Sequence, residues 1–181
     1  APRGSALAYE RAVAGTGCVV TRRDVPHDLA NALSWLAFPR MKAACNARHV
    51  AEGEGPTPNA RSPARDAVTL LDESGLVLAC SDATLGALLR ARDWRGLFVE
   101  RRADVAAALR PFAVGHGLLV RLLRPFRAVT AHALVVPLAA TAWPSDEAAG
   151  ASVDEIAANC VRDPRFGPAA LLPLPVAALP G

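Results

Sequence analysis

Proline fixes where the regular segments of this chain can begin and end. It lacks a backbone N–H and crowds the turn before it, so it opens a helix readily but kinks one that tries to pass through it. Fifteen prolines and thirteen glycines are spread over 181 residues. The segments between them are short. Asp24 can accept backbone N–H bonds as a cap, Pro26 suits a first helical turn, and Leu29, Leu33 and Leu36 recur at helical spacing. These features predict a helix over 25–37. Pro39 cannot continue that helix and opens a second one, reaching about 50.

Residues 67–71 and 76–80 are β-prone runs flanking Asp72-Glu73-Ser74-Gly75, a pattern that predicts a β-hairpin. Further helices are expected over 9–13, from Ser81 or Asp82 to Arg90, over 104–109 until Pro111, over 115–123 until Pro125, and near 153–161. Residues 18–21 form a brief β-branched stretch, and 130–138 reads as a third strand. Residues 1–8 are expected to be loose. The stretch 52–63, holding Gly53, Gly55, Pro56, Pro58 and Asn59, reads as a flexible loop, and 165–181 as an extended proline-rich strap. Strands and helices do not alternate as βαβ units, and no internal repeat occurs. The order predicts one α+β domain over 1–181, with several short helices packed around a small antiparallel sheet that includes the hairpin.

Composition excludes several classes. Hydrophobic residues make up 52% and charged residues 20%, as in a globular protein and unlike a disordered one. The longest apolar runs, such as 133–140, are too short for a bilayer, so no membrane association is expected. No basic leader with an apolar core opens these residues, and further residues are expected before Ala1; a cytoplasmic location is the expectation. Cys18, Cys45, Cys80 and Cys160 form no C-x-x-C pair and match no zinc-finger spacing, which reads as reduced thiols. Nineteen of the twenty basic residues are arginine and one, Lys42, is lysine. That bias reads as codon composition, and a net charge of +3 gives nucleic acid little weight as a partner.

Familiar catalytic signatures are missing. There is no G-x-x-x-x-G-K-S/T, no H-E-x-x-H and no G-x-S-x-G; neither Gly15-Thr16-Gly17 nor Gly115-His116-Gly117 extends to G-x-G-x-x-G. Four weaker features remain. Arg65-Asp66 and Asp72-Glu73 stand at opposite ends of the first predicted hairpin strand, roughly 20 Å apart at about 3.3 Å per residue. They cannot share a proton or a metal in that form. Asp66 reads as an acid–base group or as an ion pair with Arg65, and Asp72 as a turn residue. His116 opens a predicted helix, and His132 shares a strand face with Thr130; both are candidate bases, but without a carboxylate third ligand they make a weak metal site. His27, Asn31 and Trp35 repeat along one helix face, as do Lys42, Asn46 and His49 along another, the composition of a cleft wall or a buried polar network. Arg90 to Arg127 holds nine arginines and three acids, a local +6, which reads as a solvated basic face or as an anion-binding edge.

Read together, these stretches resemble a bacterial family catalogued as domain-of-unknown-function family 3025. The resemblance is carried by Thr21-Arg22, His27-Asp28-Leu29, Asn31-Ala32-Leu33, Trp35, Phe38-Pro39, Lys42, Asn46 and His49. It continues through Arg65-Asp66-Ala67, Thr69 to Glu73, Gly75, Trp94, Leu97-Phe98, Gly115-His116, Leu118-Leu119, Thr130 to Leu134 and Pro173 to Val176. One departure is Val120-Arg121, where the family pattern has Glu-Lys. The resemblance implies a bacterial, cytoplasmic protein and carries no activity, cofactor or catalytic assignment. From the residues, the favoured reading is a hydrolase or transferase whose pocket takes a small anionic molecule. Its catalytic candidates are His116, His132, Asp66 and Arg65; its binding candidates are His27, Asn31, Lys42, Asn46 and His49. The alternative is a non-catalytic module that docks a protein or nucleic acid through 90–127. The sequence assigns no cofactor, no metal ligand and no oligomeric state.

Overall fold

A computed structural model of the chain describes residues 6–53, 62–139 and 145–179. A four-stranded mixed sheet runs through it in the order β2-β1-β3-β4. The strands are β1 Gly75–Cys80, β2 Leu109–Ala113, β3 Thr130–Pro137 and β4 Leu172–Pro175. β1 pairs antiparallel with β2 and parallel with β3, and β3 pairs antiparallel with β4. The prolines inside the outer strands fit this order. Pro111 in β2, and Pro173 and Pro175 in β4, cannot donate to a ladder on both sides, and both strands lie at the sheet edges, where one side needs no partner. β1, free of proline, is buried along its whole length.

Alternation along the strands splits the apolar residues between two cores. Val77, Ala79, Leu134 and Val136 meet Met41, Leu71 and Val153 on one face. Leu76, Leu78, Ala131 and Ala133 meet Leu85, Leu89, Leu97 and Leu118 on the other. Leu71, Leu78, Leu85 and Leu89 are wholly buried, and each contributes about 1.5–3 kcal/mol relative to an exposed side chain. The helices are α1 Ala6–Thr16, α2 Pro26–Ala37, α3 Pro39–Glu52, α4 Pro63–Ser74, α5 Ala83–Ala91, α6 Arg102–Ala108, α7 His116–Leu122 and α8 Asp146–Arg162. A single π-helical turn, Gly96–Glu100, precedes α6. α1 packs on α3, α3 on α8, and α2 on α7.

The α+β class holds, with two corrections. The sheet is mixed rather than antiparallel, and the predicted hairpin is absent because 67–71 belongs to α4. Ser62 caps that helix by accepting the Arg65 N–H at 3.1 Å, Pro63 occupies its first turn, and Ala67, Val68 and Leu71 form its buried stripe. The strand that does pair antiparallel with β1 is β2, where Pro111 marks a sheet edge rather than merely the end of a helix. Residues 1–5 of the expected loose segment, 54–61 of the expected loop and 180–181 of the expected strap lie outside the described residues. Residues 6–8 begin α1, and 172–175 form β4.

The junction of α2 and α3 is held from a distance. Phe38 offers no side-chain cap, so the buried carboxylate of Asp154 on α8 accepts the N–H groups of Arg40 and Met41 at 3.0 and 2.8 Å. Asp154→Ala is expected to lower stability by about 2 kcal/mol through the two stranded donors. An unchanged urea midpoint would show that water replaces the carboxylate at no cost.

Candidate functional site

The site is built where the end of α4 meets the start of α7. The carbonyl of Gly75 accepts the N–H groups of Val114 and Gly115 at 3.1 and 2.9 Å. A Cβ on Gly115 would lie 2.3 Å from the Gly75 nitrogen, and one on Gly117 would lie 2.8 Å from Glu73 Oε2. Only hydrogen fits at either position. The Gly-His-Gly sequence therefore lets α7 begin against the last turn of α4, and His116 enters between Asp72 and Glu73. Its Nδ1 lies 3.6 Å from Asp72 Oδ2, and its Nε2 lies 3.4 Å from Glu73 Oε1.

α2 supplies the second histidine. His27 directs Nε2 to Glu73 Oε2 at 3.7 Å and Nδ1 to Asp28 Oδ1 at 3.9 Å. Its ring stands perpendicular to that of His116, with centroids 4.5 Å apart. Asp28 is fixed by Arg22, which donates from its backbone N–H, Nε and Nη2 at 2.9, 2.7 and 2.8 Å. Those bonds hold the Asp28 carboxyl far below the usual carboxylate range. Its stabilising contribution is therefore full at neutral pH and is lost progressively as the pH falls below the ordinary Asp range toward the depressed value.

The floor is a buried polar network. Lys42 on α3, 3% exposed, donates to Asp72 Oδ1 and to Asn31 Oδ1 on α2, the latter at 2.9 Å, and its ammonium lies 5.6 Å from the Trp35 ring centroid. Asn31 in turn donates to the Tyr9 hydroxyl at 2.9 Å. Asn46 donates to Glu10 Oε2 at 2.6 Å and to its carbonyl at 2.9 Å. Burial pushes the Glu10 carboxyl above its usual value, partly offset by Asn46. Glu73, half-exposed, is instead held below its usual value by His116 beside it. Cys45 also lines the space, but burial raises its thiol so far that it stays protonated at neutral pH.

These groups surround an open cavity of about 340 Å³, large enough for a small molecule. Six predicted residues converge on it: His27, Asn31, Lys42, Asn46, His49 and His116. Three do not. Arg65 and Asp66 begin α4 while Glu73 ends it, about 10 Å away at about 1.5 Å per residue. There Arg65 donates to the Gly53 carbonyl at 2.7 Å, and Asp66 is exposed in the first turn. His132 sits in β3 beside Gly75 and Pro173, where burial lowers its pKa, and it is not part of the cavity wall. Sequence reading did not give Asp72 and Glu73 a site role, because it placed them in a turn. The Ser62-Pro63 helix start was the signal that set them on the last turn of a helix. It also left Tyr9, Glu10, Arg22 and Asp28 without a role, since each takes its meaning from a partner on another element.

Four carboxylates (Glu10, Asp28, Asp72 and Glu73) and two fixed cations (Arg22 and Lys42) line the cavity. Both cations are paired with carboxylates. One nitrogen each from His27 and His116 and one oxygen from Glu73 lie within 4.8 Å of one another, a set able to hold a metal ion. In the 90–127 region, Arg95 pairs with Glu100, Arg101 with Asp82 and Asp104, and Arg121 donates to Ser74 Oγ. Val120, the departure from the family pattern, lies one turn beyond His116 and does not line the cavity.

Fold and site together define a mixed-sheet α+β domain with a histidine–carboxylate pocket at its helical end. The family model described as "Protein of unknown function (DUF3025)" matches residues 1–181, and the chain belongs to that family. No curated protein and no solved structure matches it. Most of the polar side chains lining the pocket are among the residues that carried the resemblance in the sequence.

Two outcomes follow. Lys42→Met strands the Asp72 carboxylate in a buried network, with an expected loss of about 3–4 kcal/mol. Adding Asp72→Asn should restore part of it, a coupling that urea melts of the single and double variants measure. For Glu10, a raised folded-state pKa means that stability falls as pH rises from the ordinary Glu range through the elevated value. Glu10→Gln should therefore be more stable than wild type at pH 8 and lose that advantage at pH 4. The opposite order of melting midpoints would contradict the burial effect.

Proposed function

We propose that this protein is an enzyme, a hydrolase or transferase acting on a small molecule bound in the α1–α2–α3–α4–α7 pocket. One observation carries this reading: side chains from five separate helices converge on a single open cavity, with two histidines turned toward one carboxylate. Core networks satisfy their polar groups and close. Here His116 Nδ1 is buried without a hydrogen bond, as is His132 Nδ1 outside the pocket, and Glu73 is half-exposed at the cavity; the opening of the His116–Glu73 cluster onto the cavity is what supports a reaction centre.

His27, Glu73 and His116 form that centre. Glu10 is the group suited to moving a proton, since its raised pKa brings it nearer neutrality. The Lys42–Asp72 pair, with Asn31 behind it, holds the Asp72 carboxylate against His116 Nδ1. With the Cys45 thiol protonated, the nucleophile comes from water in a hydrolase or from a second substrate in a transferase. The excess of carboxylates narrows the earlier expectation of an anionic ligand: such a ligand needs a further positive charge beside it. Two of the nine arginines in 90–127, Arg95 and Arg101, are held in ion pairs, so the alternative of a binding module would rest on the remainder of that face. A reducing compartment such as the bacterial cytoplasm suits the cysteines, all four of which are free, Cys18 exposed.

The test is a panel of chromogenic esters, phosphoesters and amides offered to wild type, His116→Gln and Glu10→Gln. Each variant should lose at least about 100-fold in turnover while keeping its circular dichroism. Equal background rates from all three proteins across the panel would count against catalysis.

A further inference from the structure

The geometry points to a divalent transition-metal site formed by His27 Nε2, His116 Nε2 and Glu73, in a pocket with room for a ligand on the remaining coordination positions. This deepens the reading above, since it assigns those three residues as metal ligands in the proposed reaction centre.

Distances decide between an ion and a simple hydrogen-bonded cluster. The contacts from Glu73 to His27 and His116 are 3.7 and 3.4 Å, longer than the usual 2.7–3.2 Å of an N–H···O bond. Around a tetrahedral ion with ligands at about 2.0–2.1 Å, neighbouring donor atoms stand roughly 3.3 Å apart. The two Glu73 contacts, each to a different carboxylate oxygen, are near that spacing, and one nitrogen from each histidine with one oxygen of Glu73 falls within 4.8 Å of the others.

The outer partners point the same way. Each imidazole turns its other nitrogen to a separate carboxylate: His27 Nδ1 to Asp28 at 3.9 Å and His116 Nδ1 to Asp72 at 3.6 Å. Neither contact is a formed hydrogen bond at that length, but a carboxylate on the far side of each ring is the outer arrangement found around metal-bound imidazoles. Asp28 and Asp72 are themselves held, by Arg22 and Lys42, so the outer carboxylates are fixed in position. His116 is nine-tenths buried, and its Nδ1 has no hydrogen-bond partner.

Charge and ligand type then select the ion. With neutral imidazoles, the four carboxylates outweigh Arg22 and Lys42 by two, and a divalent ion neutralises that excess. Two nitrogens and one oxygen favour Zn²⁺, Co²⁺ or a similar first-row ion over Mg²⁺ or Ca²⁺, which prefer oxygen. Three protein ligands leave positions open, as in catalytic rather than structural sites. The ion also supplies the positive charge that an anionic substrate group requires in this pocket.

The experiment titrates the full chain, stripped with chelator, with Co²⁺ and follows the visible absorption, then displaces Co²⁺ with Zn²⁺. One equivalent should bind with saturation. His27→Ala and Glu73→Gln should each weaken affinity at least about 30-fold, and Asp28→Asn about 10-fold through the lost outer partner. His132→Ala, whose imidazole lies outside the pocket, should bind as wild type does. Absence of saturable binding, binding undiminished in His27→Ala and Glu73→Gln, or equal loss in His132→Ala would overturn the site. Binding without turnover of any substrate would remove the catalytic reading and leave the metal site standing. Turnover that survives complete metal removal would leave the catalytic reading standing and overturn the assignment of these residues as metal ligands of its reaction centre.

Discussion

At the crossing of Gly75 and Gly115, two backbones approach so closely that Gly115 has no space for a side chain, while a side chain on Gly75 would meet the Leu71 carbonyl. Gly75 ends α4 and begins β1, while Gly115 ends the run from β2 and begins α7. Their contact brings two helix termini together at one end of the sheet. The twin hydrogen bonds to the Gly75 carbonyl set the orientation, and Gly117 keeps the next turn of α7 clear of Glu73. Every distance around His116 depends on this junction. A methyl group at Gly115 would push α7 away from Asp72 and Glu73, and the histidine would lose both carboxylates at once.

Around that junction the pocket is a compromise between burial and charge. A lysine that is 3% exposed would be costly if unpaired, and the surrounding residues answer the cost with Asp72, Asn31 and the face of Trp35. On the α1 side, Glu10 accepts from Asn46, and burial raises its proton affinity. The two walls therefore differ. One is locked by a neutralised pair, and the other carries a carboxyl whose burial favours its protonated form.

Much of the scaffold was legible in the sequence because its signals are local. Pro26 and Pro39 open α2 and α3 where the spacing places them, and Asp82 caps α5. The third strand needed only its own β-branched run. The polar faces of α2 and α3 were also visible, since residues four apart on a helix share a face whatever the helix packs against. α4 was misread where two signals competed: β-prone residues at 67–71 suggested a strand, while Ser62 and Pro63 specified a helix start, and capping with an apolar stripe prevailed. β2 was missed because its pairing with β1 spans about thirty residues of chain and nothing within 109–113 alone requires it.

Sequence by itself determined the class of fold, the short elements, and a set of histidine, asparagine and lysine residues unusual for solvated helix faces. Those properties follow from local backbone chemistry and from helical periodicity. Tertiary structure alone decided which of those residues meet. It sent His27 to His116 rather than His132, removed Arg65 and Asp66 to the far end of α4, and brought Asp72 and Glu73 in. The reason is that one more or one fewer turn of α4, read from a cap at its start, rotates and displaces every carboxylate at its end. No pattern within the chain reports the glycine contact that holds that end against α7.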